Sequence, residues 1–319
     1  MTTLMMLSDA APSSSTTRRT LFEGEWLQVG HISVRPASSE CGELETSELN
    51  VLALPLAGVF AKHDGPRRHA IATPNHALLI SAGQPYRLSF PGCIGDRCLA
   101  LRFSSEALAQ VMPEAMAGDG FDESTYSTQA LLPPGAMLAR SLLWQRLEQG
   151  EVDALEAEER AIDLLEATLS AARRERAETL PRRGRAARSG GSWRRLRPVA
   201  RTVEAIGNEP ERKWTLGDLA ALASVSPSHL AHVFRAVTGL PVYGYVLRSR
   251  LALALEAVLD SEAGLTEIAL DTGFASHSHF TAKFRALFGC TPQQLRRGAN
   301  RTAVHELRRI ATARERLAA

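Results

Sequence analysis

The clearest hydrophobic pattern in the chain is a segment that occurs twice in its last third. Ser226-Pro-Ser-His-Leu-Ala-His-Val-Phe-Arg-Ala-Val-Thr-Gly239 returns fifty residues later as Ser276-His-Ser-His-Phe-Thr-Ala-Lys-Phe-Arg-Ala-Leu-Phe-Gly289, with seven of fourteen positions identical. In both copies apolar residues recur every three or four positions, which predicts an amphipathic helix. Upstream the match continues at an offset of 49 residues, so the one extra residue falls between the two halves of each unit, where we predict a turn.

Each unit is predicted to be a helix, a tight turn and a second helix. Thr215 and Asp218 have the spacing of a capping box at the start of the first helix. Ser226 and Ser276 stand where each second helix begins and can accept a hydrogen bond from a free backbone N–H. Gly273 can adopt the positive φ that a tight turn between helices needs. This is the pattern of a helix-turn-helix motif.

A third helix is predicted between the two units. Apolar residues recur at helical spacing over 241–259, and nineteen residues at ~1.5 Å each span about 28 Å. A rigid helix of that length would hold the units roughly one turn of duplex DNA apart, ~34 Å, so that both second helices could enter successive segments of the major groove. A bundle of helical hairpins that binds another protein is the alternative. The duplication disfavours it, because outward polar positions are repeated together with the core.

This segment resembles the DNA-binding domain of AraC/XylS transcriptional regulators over roughly residues 198–297. The residues that carry the resemblance are Leu219-Ala220, Ser226-Pro-Ser-His-Leu-Ala-His-Val-Phe234, Thr238-Gly239, Arg250-Leu251, Ala254, Glu267-Ile-Ala269, Gly273-Phe274, Ser276-His-Ser-His-Phe280, Phe284-Arg285, Gly289 and Thr291-Pro292. The family commonly has an aromatic residue at the position of Leu295 and often has Arg at the positions of His232 and Ala282. The base preference of a relative is therefore not transferred to this chain.

The polar positions near the start of each second helix are the candidates for reading base edges. They are Ser228, Ala231 and His232 in the first helix and His277, Ser278 and Thr281 in the second. None of them is an arginine that could pair with guanine through two hydrogen bonds, so we expect modest specificity per base pair and a strong dependence on DNA shape.

Basic residues around these helices are candidates for phosphate contacts, and an ordinary solvated role is the alternative for each. They are Arg235, Arg248, Lys283, Arg285 and Arg296, with Arg297 as a further candidate. Arg250 is expected to support packing between helices. His229 and His279 share one position in the two units, which favours packing over base reading.

The first half of the chain has the pattern of short strands followed by helices. Strands are predicted at 31–35, 50–61, 76–81, 86–90 and 98–103, separated by Gly and Pro, and helices at 105–116, 134–149 and 152–178. This predicts an α+β chain whose first domain is a small β-barrel or sandwich with helices. Leu155, Ile162, Leu165 and Leu169 have coiled-coil-like spacing, which is compatible with packing on the parent domain and with a homodimer.

The net charge of the chain also changes sign between its first half and its second half. Residues 1–170 hold 12 basic and 22 acidic side chains, and residues 171–319 hold 25 and 13, so the net charge of +2 conceals two halves of opposite sign. Ten arginines lie between positions 171 and 198, in a Gly-rich run that is typical of a flexible linker, or of a strap that binds phosphates without sequence preference.

These patterns predict five segments. Residues 1–19 are expected to be a disordered tail, and residues 20–178 a regulatory and dimerisation domain. The family resemblance implies that this domain is cupin-like. An Arg-rich linker then follows at 179–197, the double helix-turn-helix domain at 198–298, and a basic helical tail at 299–319.

The remaining candidate chemistry is sparse. His63, His69, His76, Cys93 and Cys98 could bind a metal, but the His-x-His pair with a later Glu and His of metal-binding cupins is absent from the sequence. Scattered structural histidines are favoured. Cys93 and Cys98 would sense oxidants only if they lay close enough to bridge. There is no Gly-rich phosphate loop or nucleophile elbow, so neither an enzymatic activity nor a cofactor is expected.

The leading hypothesis is a cytoplasmic transcriptional regulator that binds promoter DNA and is controlled by a small effector in its first domain. The resemblance also suggests RNA polymerase as a partner, and the lack of a long apolar run suggests no membrane contact. The alternatives are a metal-binding or enzymatic cupin fused to a DNA-binding module, and a DNA-binding protein that responds only to protein partners. The effector, and whether the protein activates or represses, are left open by the residues.

Overall fold

The computed structural model describes residues 14–65, 69–90, 93, 95–179 and 193–298. Its first domain contains the strands β1 (Ser15–Glu23), β2 (Leu27–Arg35), β3 (Asn50–Gly58), β4 (Phe60–His63), β5 (His69–Ala72), β6 (His76–Ile80), β7 (Arg87–Ser89), β8 (Asp96–Phe103), β9 (Met116–Ala117), β10 (Gly120–Phe121) and β11 (Gln129–Leu131). It also contains α1 (Ser105–Val111), a 3-10 turn (Pro113–Ala115), α2 (Pro134–Gln149) and α3 (Ala154–Thr179).

Two of the sheets and the long helices make a three-layer domain. One sheet has six strands in the order β1-β2-β8-β3-β6-β11, and a second has three in the order β5-β4-β7. Along β3, Val51 and Ala53 belong to the cluster between the sheets, whereas Leu52 and Leu54 belong to the cluster under α2 and α3. Since successive side chains of a strand point to opposite faces, burial on both faces explains why this strand is apolar at nearly every position.

The sheets are open, so the predicted fold class is right in its α+β composition but not in barrel closure. None of the sheets formed by the described residues closes on itself. The strand predicted at 50–61 divides into β3 and β4 because the chain changes sheets at Gly58, which has φ +80°. A Cβ on Gly58 would lie 2.1 Å from the carbonyl oxygen of Gly95, so a glycine is required where the two segments meet.

Strand β1 corrects the prediction that residues 1–19 are a disordered tail. Ser15–Glu23 pairs antiparallel with β2 and forms one edge of the six-stranded sheet. Residues 1–13 lie outside the described part of the chain. Strand β5, which pairs with β4, was also missed.

The second domain consists of seven helices within the described residues. They are α4 (Trp193–Asn208), α5 (Leu216–Leu222), α6 (Pro227–Thr238), α7 (Val242–Asp260), α8 (Leu265–Asp271), α9 (His277–Phe288) and α10 (Pro292–Gly298). Helix α4 begins inside the segment predicted to be a linker. Its buried residues Val199, Val203 and Ile206 recur at helical spacing, so a signal for it was present in the sequence. The rest of the predicted linker at 180–192, and the predicted tail at 299–319, lie outside the described residues.

The two helix-turn-helix units form as predicted, α5 with α6 and α8 with α9. Thr215 and Asp218 make the capping box of α5, and Arg250 donates hydrogen bonds to the carbonyls of Pro210, Gly273 and Arg212. The packing role expected for Arg250 is thereby confirmed. Gly273 has φ +83° in the second turn, and Ser224, at the equivalent place in the first, has φ +58°.

The two domains share a packed interface. Residues of α2 and α3 belong to the same apolar cluster as residues of α7 and α9. Polar contacts add to it: Gln145 Nε2 donates to the carbonyl of Leu259 at 3.1 Å, and His76 Nε2 lies 3.1 Å from the carbonyl oxygen of Thr238. Burial lowers the pKa of His76 to about 4, so near neutral pH its uncharged ring donates to this carbonyl.

Helix α3 packs against its own domain through part of the predicted coiled-coil stripe. Leu165 and Leu169 are buried, whereas Leu155 is 68% exposed. Searched over the described part of the chain, the helices include none with the length and apolar character of a membrane span.

Candidate nucleic-acid interface

Helix α6 presents a polar face opposite a buried apolar one. The hydroxyl of Ser226 accepts a hydrogen bond from the backbone N–H of His229 and caps the helix. Leu230 and Phe234 are fully buried, which turns Ser228 and His232 into solvent. The three candidate base readers of this helix therefore lie on one side, with Ala231 half-buried among them.

Helix α9 repeats this arrangement. Ser276 caps it by accepting from the backbone N–H of His279, and its buried face is formed by Phe280, Phe284 and Phe288. His277 and Ser278 are exposed and Thr281 is partly exposed. Thr281 Oγ1 lies 3.4 Å from His277 Nε2, one helical turn away, so these two side chains form one polar surface.

Basic side chains border the same faces. Arg235 and Arg285 are exposed in the last turns of α6 and α9, and Lys283 is partly exposed. Positive charge in the last turn of a helix also interacts favourably with the helix dipole. These three of the predicted phosphate-binding residues are accessible to a polyanion.

Arg248 is not accessible to a polyanion, so the predicted phosphate contact of this residue is wrong. Its side chain is buried in the interface between the domains, where Nε donates to Asn75 Oδ1 at 3.0 Å and Nη2 donates to the carbonyl of Leu132. No local sequence pattern indicates these contacts, because the partners lie 173 and 116 residues away.

Arg296 is held in a similar way within its own domain. Its Nε donates to the carbonyl of Val258 at 3.3 Å and its Nη1 to that of Ala263 at 2.8 Å. The side chain thus closes the end of α7 and is not free to extend toward a phosphate. Leu295, where the family commonly has an aromatic residue, is fully buried, so the smaller side chain still seals the core.

The two equivalent histidines differ from the expectation of packing. His229 and His279 are both exposed. The ring of His279 nevertheless contacts Phe274 edge-on, with the ring centroids 5.7 Å apart. His279 therefore packs against Phe274 in the turn between α8 and α9, and not against a neighbouring helix.

The metal-capable residues of the first domain do not make a metal centre. Among the described residues, no three His, Cys, Asp or Glu side chains are placed to hold a metal ion. His63 and His69 do meet across β4 and β5, with their Nδ1 atoms 2.6 Å apart. Burial and the neighbouring His69 lower the pKa of His63 to about 4. Cys93 and Cys98, which would sense oxidants only if they could bridge, are both free, with Cys98 buried and Cys93 exposed.

The second domain of this chain is similar in sequence to known proteins. Residues 219–298 match the helix-turn-helix domain family. A putative AraC-like transcription regulator of Streptomyces lividans is 34% identical over 99 residues, which cover 31% of this chain and 33% of that protein. The transcriptional regulator ExsA of Pseudomonas aeruginosa is 30% identical over 86 residues, covering 27% and 31%. The chain thus spans about a third of the length of these curated relatives.

A solved structure is similar over the same share of the chain. The DNA-binding domain of AdpA in complex with a target DNA is 25% identical, with a TM-score of 0.31, and the match covers 31% of this chain and 90% of that one. The second domain of this chain is thus similar in sequence to the helix-turn-helix domains of transcriptional regulators, one of which is AraC-like.

Proposed function

We propose that this protein is a transcriptional regulator that recognises a specific sequence in promoter DNA through α6 and α9. The observation that carries the proposal is the repetition of one arrangement: a Ser-capped helix with a buried core face and an exposed polar face occurs at both ends of α7. A helix of 19 residues spans about 28 Å, which suits two major-groove segments one helical turn, ~34 Å, apart.

The residues on these helix faces are proposed to make two kinds of contact with DNA, to base edges and to phosphates. Ser228, Ala231 and His232 in α6, with His277, Ser278 and Thr281 in α9, are proposed to contact base edges near the helix starts. Arg235, Lys283 and Arg285 are proposed to contact phosphates, which fixes the orientation of the protein without reading sequence. Arg248 and Arg296 are omitted from this set because their guanidinium groups are bound within the protein.

The first domain is proposed to control this activity through a small effector. Its support is the shared interface, in which helices of both domains belong to one apolar cluster. A change in the first domain can thereby alter the position of α7, which carries both units. RNA polymerase and a second copy of the chain remain proposed partners of the complete regulator.

The test is selection of bound sequences from random duplexes with the full-length protein. We expect a motif with two conserved blocks about one turn apart. His232→Ala should relax the preference at one or two base pairs and cost about 1–3 kcal/mol on the selected site. Arg235→Ala should weaken binding to all sequences and reduce the salt dependence by about one counterion.

Arg174→Ala is the matched control, because Arg174 is exposed on α3 of the first domain. It should leave both the motif and the salt dependence unchanged. Recovery of no motif would refute the proposed function. If a motif is found but neither His232→Ala nor Arg235→Ala alters it or the salt dependence, the assigned roles of these residues are wrong.

A further inference from the structure

A cavity of about 530 Å³ lies between the two domains. The first domain contributes the ends of β2, β3 and β8 with Arg140 of α2, and the second domain contributes α4 and α7. Its volume falls within the range of ~300–1,000 Å³ that is typical of pockets for small molecules. The cavity lies outside the proposed DNA-binding faces, since no residue of α6 or α9 lines it.

Asp96 provides an unsatisfied acceptor in the cavity wall. The residue is only 6% exposed, and its Oδ1 has no hydrogen-bond partner among the residues that the structure describes. The backbone around it is closely packed: a Cβ on Gly95 would lie 1.8 Å from the carbonyl oxygen of Val34. Because the backbone of Asp96 pairs with both Val34 and Gly58, the strand cannot shift to bring the carboxylate closer to another protein group.

Arg140 provides an unsatisfied donor in the same wall. It is 1% exposed, and its Nη1 donates to the carbonyls of Pro55 and Pro74 at 2.7 and 2.8 Å. These bonds hold the guanidinium within the first domain, while its Nε is buried without a partner among the described residues. A buried polar atom without a partner destabilises the protein, and a ligand that pairs with Asp96 Oδ1 would remove the cost at that atom.

The buried, unsatisfied carboxylate of Asp96 favours a cation in this cavity. Besides Asp96, the carboxylates of Glu204 on α4 and Glu256 on α7 line it. Arg35 and Arg97 also line it but are exposed to solvent, and the buried Arg140 interacts electrostatically with Glu256. Burial raises the pKa of Asp96 to about 7; it also raises the pKa of Glu204, where the charge of Arg201 acts in the opposite direction.

Apolar side chains supply the rest of the lining. Leu56 and Val59 come from the first domain, and Val203 and Leu253 from the second. We propose that this cavity binds a small organic amine with an apolar body, whose ammonium group donates to Asp96 Oδ1 and whose body contacts both domains. Binding of the amine would then alter the affinity for DNA, and this part of the inference rests on the proposed function.

The binding test uses the full chain at pH 8 with three probes that share one ring system: tryptamine, tryptophol and indole-3-propionate. Isothermal titration should show tryptamine binding at least tenfold more tightly than the uncharged alcohol or the acid. Asp96→Asn should weaken tryptamine binding at least tenfold. Glu43→Gln, which removes an exposed carboxylate, should have no effect.

A second variant tests the location without removing a charge. A Cβ on Gly207 would meet no atom within 4 Å, and the residue lines the cavity, so Gly207→Leu adds volume there and should weaken tryptamine binding. Equal affinity for the three probes, preference for the acid, no binding of tryptamine at 10 mM, or full binding by Asp96→Asn would each overturn the proposal.

The effect on DNA is measured separately, by titrating the selected duplex with and without tryptamine. Because the binding test contains no DNA, a protein that binds tryptamine but selects no motif refutes the proposed function and leaves the amine site standing. Binding of tryptamine with unchanged DNA affinity would overturn only the regulatory part of the inference.

Discussion

Replacing Asp96 by Asn should stabilise the protein above neutral pH, although the side chain is buried. Burial raises the pKa of the carboxyl from 3.8 to about 7, because the charged form loses its hydration and has no ion-pair partner in the described structure. Asparagine has nearly the same shape and carries no charge to desolvate. Asp96→Asn therefore removes from the folded state the free-energy cost of burying an ionised carboxyl.

The magnitude follows from the size of the pKa change. One pKa unit corresponds to about 1.4 kcal/mol, so the raised pKa of Asp96 corresponds to a cost of at most about 4 kcal/mol once the carboxyl is ionised in both the folded and the unfolded chain. Below about pH 4 the carboxyl is protonated in both, and the cost vanishes. As the pH rises from 4 to 7 the folded state retains the proton that the unfolded state has lost, so the stability of the unmodified protein falls over this window relative to the variant.

Urea denaturation of both proteins between pH 4 and pH 8 measures this difference. The advantage of Asp96→Asn should be near zero at pH 4, should grow up to pH 7 and should then stay constant. His63 and His76, whose pKa values are lowered to about 4, titrate in both proteins and cancel in the comparison. An offset that does not change with pH, or a variant that is less stable at pH 8, would refute the reasoning.

Three further substitutions test the packing of the second domain. Phe284→Ala, which empties a fully buried position in α9, should cost about 3–5 kcal/mol of unfolding free energy in urea. Arg250→Met, which leaves the backbone carbonyls of Pro210 and Gly273 without this donor, should cost about 1–3 kcal/mol and lower the melting temperature. Arg248→Met should increase hydrogen exchange around Asn75 and Leu132, since both lose their donor across the domain interface; unchanged exchange there would contradict the role assigned to Arg248.

The features that the sequence predicted are those determined by neighbouring residues. The caps at Ser226 and Ser276 and the positive φ of Gly273 depend on a few adjacent positions, so their residue types reveal them. The duplication strengthened the prediction further, because two copies of one pattern had to fit one structure. The exposed face of each second helix followed once its buried face had been identified.

The features that were missed depend on contacts between distant segments. Strand β1 is polar and exposed at most positions, and it is a strand only because β2 offers a free edge. Arg248 has the sequence context of a surface residue on α7, yet the first domain covers it. No sequence pattern indicated Asp96 as a site residue, because the cavity that it lines forms only where the two domains meet.

The position of Arg248 has a consequence for recombining modules from different regulators. Its guanidinium donates to Asn75 Oδ1 and to the carbonyl of Leu132, so the contact between the two domains depends on residues of both. A hybrid that joins either half to a foreign partner would bring a buried cation against a surface that did not evolve to receive it. An exchange of the first domain should therefore also transfer the segments that hold Asn75 and Leu132, or replace Arg248 by an uncharged residue.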